Sequence, residues 1–129
     1  MTSVALFGQA GGMKFDVLFA AVPVADLEAS RPWYERLFGR VADIVPNEDE
    51  VMWNVSTDGW VYVVRDAERA GRTVVTLSVP DLDAAVAELA GHGLQSGPIE
   101  MVGDAGRKAT VTDPDGNSVA IIEVGTAGR

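Results

Sequence analysis

Residues 24–29 read VADLEA and residues 79–84 read VPDLDA, so this chain states nearly the same local instruction twice. In each copy a valine closes an apolar run, an Asp and a Leu follow, and an acidic residue comes next. Asp81 follows Asp26 by 55 positions (81 − 26), and Gly116 follows Gly59 by 57 (116 − 59). Two landmarks far apart within each half recur at nearly one spacing, which is the mark of a tandem architecture. A chain of 129 residues holds one domain, or two half-domains too small to stand alone.

The elements read the same way in both halves. Phe15 to Val24 is apolar and partly β-branched and forms a strand, whose Pro23 marks an edge or a strand end. Asp26 stands as an N-cap before LEASRPWYERLFG, where Leu27, Trp33 or Tyr34, Leu37 and Phe38 fall near helical spacing. Pro32 argues that the regular helix begins late, and Gly39 ends it. VADIV at 41–45, EVMWNVS at 50–56 and GWVYVVRD at 59–66 then read as a meander of strands. The second half restarts with a strand at 72–79, a helix capped by Asp81 and stopped by Gly91 or Gly93, and strands at 97–102, 106–113 and 117–124. The expected fold is α+β: two tandem βαβββ modules, about 13–70 and 71–125, in a single domain spanning 13–125. Each module's sheet has one face covered by its helix, and its other face must meet the twin module or a second chain, leaving a cleft between curved sheets. Residues 1–12 read as a loose N-terminal extension and 126–129 as a C-terminal tail.

Bulk properties narrow the partners. The formal charge of −9 and pI near 4.4 repel phosphate backbones and anionic lipid heads, which disfavours nucleic acid and favours a cationic ligand. No cysteine is present, so disulfides, thiol catalysis and Cys-ligated zinc are excluded. The longest apolar run, VLFAAVPVA at 17–25, is too short to span a bilayer, and the first twelve residues lack the cationic start of a signal peptide. Cytoplasm is the expected location.

Three stretches in order, VPVADLEASRPWYERLFGR, VPDLDAAVAELAGHGL and TDPDGNSVAIIE, resemble the glyoxalase, bleomycin-resistance and extradiol-dioxygenase superfamily, also called vicinal oxygen chelate proteins. The resemblance runs from about Met13 to Val124. It implies paired βαβββ modules, assembled as homodimers. In metal-using members each half supplies a His or Gln on its first strand, seven residues before the capping Asp, and a Glu on its last strand. Those seats fall here on Phe19 and Val74, and on Tyr62 (within one position) and Ala120. A divalent cation needs several nitrogen or oxygen donors at about 2.0–2.6 Å, and Phe, Val and Ala offer none. The expectation is therefore no metal and no cofactor, with no catalytic residue assigned.

Other motifs carry less. DPDGN at 113–117 superficially suggests a calcium loop, yet the twelfth position counted from Asp113 is Val124, and the segment reads as a hairpin turn. NEDE at 47–50 reads as a solvated loop, and the sole histidine, His92, as an exposed residue at a helix end. The glycine groups lack the following GK[ST] of a phosphate loop. Strand alternation puts Trp60 and Tyr62 on one face of their strand, and the facing that the resemblance implies turns them and Phe19 into the cleft together with Val74, Ala120 and Met52 or Asn54, a set that reads as a pocket for a flat aromatic or cationic molecule. The function expected is sequestration of such a drug or metabolite by a homodimer. The alternative is a lactoylglutathione lyase-like lyase or isomerase, or a dioxygenase, holding metal through unusual ligands such as Asp16, Glu123 or Tyr62.

Overall fold

A computed structural model describes residues 12–104 and 106–125; the segment read as an extension, save Gly12, and the 126–129 tail lie outside the described residues. The chain runs β1 (Leu18–Val24), α1 (Leu27–Phe38), β2 (Ile44–Asn47), β3 (Glu50–Ser56), β4 (Gly59–Arg65), then β5 (Val74–Ser78), α2 (Leu82–Gly91), β6 (Glu100–Val102), β7 (Gly106–Thr112) and β8 (Ser118–Val124). Two four-stranded mixed sheets result, ordered β1-β4-β3-β2 and β5-β8-β7-β6. In each, the first strand pairs parallel with the last and the rest are antiparallel. These are two βαβββ modules. No helix among the described residues is long and apolar enough to cross a membrane.

Both helices start at the acids that the repeat marks. The Asp26 carboxylate accepts from Ala29 N at 3.2 Å and that of Asp81 from Ala84 N at 3.1 Å, each satisfying a donor that a helix start leaves free. Gly39 closes α1 at φ 73°, a left-handed conformation that a side chain resists. Pro32 does not delay α1, contrary to the sequence reading: the helix begins at Leu27 and carries the proline inside it. The i−4 carbonyl that Pro32 leaves unbonded belongs to Glu28, and both residues are exposed, so water can replace the missing donor. The first strand is also shorter than its apolar run, because Met13, Phe15 and Val17 stay exposed and outside the ladder.

Alternation sorts each sheet into a helix face and an open face. In the first sheet Val22, Val24, Val51, Trp53, Val61 and Val63 are buried under α1, where Tyr34 and Phe38 pack on the Trp53 ring. Trp53 Nε1 donates to the Arg40 carbonyl at 3.1 Å, so burying the indole leaves no unmet donor. Leu82, Leu89, Ala109, Val111, Val119 and Ile121 form the matching layer in the second module and join the same core. Leu18, at the start of β1, stays 70% exposed.

Candidate functional site

The open face of the first sheet carries the aromatic set. β1 pairs with β4 so that Phe19 lies beside Trp60 and Ala21 beside Tyr62; β3 pairs with β4 so that Met52 meets Tyr62 and Asn54 meets Trp60. Cross-strand neighbours on one face interact directly. Phe19 and Trp60 do so as a stacked pair, ring centroids 6.4 Å apart and planes 28° from parallel. Phe19 is 53% exposed, and Trp60, Tyr62, Met52 and Asn54 are half-buried. Five of the seven expected site residues thus share one surface.

Val74 and Ala120 belong to the other sheet. There Val74 pairs with Ser118 and Thr76 with Ala120, repeating the pairing of Phe19 with Trp60 and Ala21 with Tyr62. The two ladders therefore place Tyr62 and Ala120 at corresponding positions and remove the one-residue ambiguity that counting left. The second module's open face differs in chemistry: Ala120 is flanked by Thr110 and Thr76, with Lys108 beside Ile122 in the next row. These residues were missed by sequence reasoning, although the same alternation applied to GRKATVTD would have found them.

A cleft of about 700 Å³ opens between the modules, a size that suits a small molecule. Trp60, Asn54 and Val74 line it; Phe19, Tyr62, Met52 and Ala120 do not. Its other walls come from helix-side residues such as Leu18, Leu37, Leu77 and Leu89.

The 113–117 turn is more than a hairpin. Asp113 is buried, and its carboxylate accepts four hydrogen bonds: from Tyr34 Oη at 2.7 Å, Asn117 Nδ2 at 2.8 Å, and the backbone N–H groups of Asp115 and Asn117 at 2.9 Å each. Asn117 also donates to the Pro23 carbonyl on the free edge of β1 and accepts from Gly71 N and Thr73 N at the start of β5. Asp115 reaches Ser30 and Ala25 N. A buried carboxylate needs such partners; here they come from both modules, so the turn clamps the two together. Burial, reinforced by the hydrogen bond to Asp113, pushes the Tyr34 phenol far above its ordinary ionisation range.

The residues available for a metal do not fit one. Of the four seats only Tyr62 has a donor atom, and one phenol does not make a coordination shell. Glu123 faces the other way: its carboxylate accepts from Leu82 N at 2.8 Å and from Arg107 at 3.1 Å, holding the start of α2. Asp16 precedes β1, outside the sheet, and Tyr62 stands on the open face of the first module, whereas Glu123 turns to the start of α2 in the second. Among the described residues no three His, Asp or Glu side chains stand together as an ion site. His92 is half-buried at the end of α2 rather than free, with Nδ1 2.8 Å from the Arg36 carbonyl of α1. Since a carbonyl can only accept, Nδ1 donates.

Tandem βαβββ modules with open sheet faces and a cleft between them define a class of small proteins built around paired half-sites. The chain belongs to the Glyoxalase/Bleomycin resistance protein/Dioxygenase superfamily, whose sequence profile matches residues 17–121. It is similar to a glyoxalase/bleomycin resistance protein of Catenulispora acidiphila, with 36% identity over 84% of this chain and 98% of that one and a TM-score of 0.79. An antibiotic-binding protein of a Streptomyces species shares the fold at 21% identity, covering 89% of this chain and all (100%) of its own, with TM-score 0.70. A lactoylglutathione lyase of Agrobacterium tumefaciens does so at 16% identity, with coverage of 83% and 92% and TM-score 0.68. No curated protein matches the chain closely enough to count as a relative.

Proposed function

We propose that this protein is a metal-free binding protein that sequesters a flat aromatic or cationic drug or metabolite in the cytoplasm, on the face built by Phe19, Trp60 and Tyr62. The observation that carries the reading is the stacked pair of half-exposed Phe19, on one of the seats where relatives that use metal would place a ligand, with its neighbour Trp60. Hydrocarbon there cannot activate a substrate, but it can cover one. Covering the exposed half of Phe19 removes on the order of 100 Å² from water, roughly 2.5 kcal/mol. The net charge of −9 favours a cationic guest, and the fold shared with an antibiotic-binding protein is in keeping with the reading.

A second copy belongs to this picture. Leu18, Phe19 and Val74 on edge strands β1 and β5, with Met101 on edge strand β6, expose apolar surface of the kind that marks an interface. A homodimer would cover part of it and close a second wall over the aromatic face.

Titration of an aromatic cation such as ethidium, followed by tryptophan emission and by calorimetry, tests the proposal. Saturable binding is expected, weakened two- to thirty-fold by Trp60→Ala, because a cation or ring over an indole is worth roughly 0.5–2 kcal/mol. Binding unchanged in both Phe19→Ala and Trp60→Ala would refute the assignment of this face.

A further inference from the structure

The 113–117 clamp has a pseudo-symmetric counterpart that does not close. On the closed side, the last turn of module two meets the first half of α1 and the end of β1. With the modules exchanged, the turn around Ser56–Gly59 should meet α2 and the end of β5. These are the elements that line the 700 Å³ cleft, which includes Ser56, Gly59, Ala85, Leu89 and Val79. The repeat offset shows why they stay apart. Leu89 stands where α1 has Tyr34, and Ser56 where the other turn has Asp113. Without a phenol and a buried carboxylate no latch forms, and a space remains.

The chemistry of that space is specific. Its walls are largely aliphatic, with β5 running along one side as an edge strand. Ser118 N donates to Thr73 O and Val79 N to Ile122 O, so odd-numbered residues turn their backbone toward β8. Val74, Thr76 and Ser78 therefore turn theirs toward the open edge, which offers amide groups to a guest. Two charged side chains line the cleft, Arg40 and Glu88. Arg40 is already held by Asp43 at 2.8 Å and by the Asn54 carbonyl at 2.7 Å. The Glu88 carboxylate has no hydrogen-bond or ion-pair partner among the described residues.

We propose that the inter-module cleft, which shares Trp60 with the aromatic face but runs away from it between helix-side residues, is a binding site for an organic cation with an aliphatic body and one ammonium group seated at Glu88. The apolar walls cover the body, and the unmatched carboxylate on a chain of net charge −9 selects the sign of the head group.

Decyltrimethylammonium, used below its micelle concentration, supplies the aliphatic body and the ammonium; its head group is also attracted to the Phe19 and Trp60 rings, so Phe19→Ala is the control that separates the two sites. Calorimetry should show saturable binding that weakens as salt is added, while decyl sulfate binds at least ten-fold more weakly. Glu88→Gln should reduce the cation's affinity about two- to five-fold and flatten its salt dependence, as for a partly exposed ion pair. Ala85→Trp, which fills the cleft, should abolish binding; Glu88→Gln, on an exposed helix face, keeps the test readable if that variant does not fold. Equal binding of cation and anion, or no response to Glu88→Gln, overturns the proposal. A loss of decyltrimethylammonium binding in Phe19→Ala but not in Glu88→Gln also overturns it, and leaves the proposed function of the aromatic face standing.

Discussion

Replacing Tyr34 by Phe removes one oxygen from the clamp and leaves the ring that packs on Trp33, Phe38 and Trp53. Tyr34 is fully buried at 0% exposure and Asp113 nearly so at 4%, so no water replaces the lost donor. The 2.7 Å bond is charge-assisted, and such bonds contribute about 1.5–3 kcal/mol. Asp113 keeps three of its four donors, which places the expected loss near the middle of that range, about 2 kcal/mol. In a domain of this size that corresponds to roughly 5–8 °C in Tm. Urea denaturation followed by tryptophan emission measures it. In a double-mutant cycle with Asp113→Ala, the coupling should be on the order of 1–3 kcal/mol. A Tyr34→Phe variant within about 0.5 kcal/mol of the parent would refute the view that this bond ties the modules together.

Four further outcomes follow from the same geometry. The Tyr34 phenol is raised in the folded state, so its stabilising contribution is complete below the unfolded value near pH 10 and is lost as pH rises beyond it; ultraviolet titration should show a tyrosinate step that coincides with alkaline unfolding, and Tyr34→Phe, which keeps one of the two tyrosines, should lose that step. The Asp43 carboxyl is held below its ordinary value by hydrogen bonds from Arg40 and Asn54 N, so this contribution is present above the unfolded value and lost as pH falls through the folded one; Asp43→Asn should shift the acid limb of a pH–stability curve while leaving the neutral region nearly flat. Gly39→Ala should cost about 1–2 kcal/mol in thermal melts, because φ is 73° and the new methyl meets the His92 ring at 3.0 Å. Gly106→Ala should be worse, by expression and melting, since its Cβ would collide with the Glu123 carbonyl.

Local instructions in the sequence were read successfully where one residue type settles one local need. Asp26 and Asp81 cap helices, Gly39 ends one, and Pro23 sits on a free strand edge, because each solves a problem within a few residues of itself. Pro32 was misread because the cost of its missing bond depends on whether the opposing carbonyl faces water, which the sequence does not state. DPDGN was legible as a turn but not as a clamp, since Tyr34 and Asp113 stand 79 residues apart and nothing in either module's own pattern names a partner in the other. The aromatic face followed from alternation within each strand together with the facing that the family resemblance implies. The cleft was not legible, because it exists where an inter-module contact fails to form.

Elemental analysis of protein purified without chelator, paired with ligand titration on the same sample, decides whether binding here depends on an ion. Substoichiometric metal, and ligand affinity unaltered by chelator treatment, are expected. One equivalent of tightly held metal per chain, with binding lost on its removal, would contradict metal-free binding.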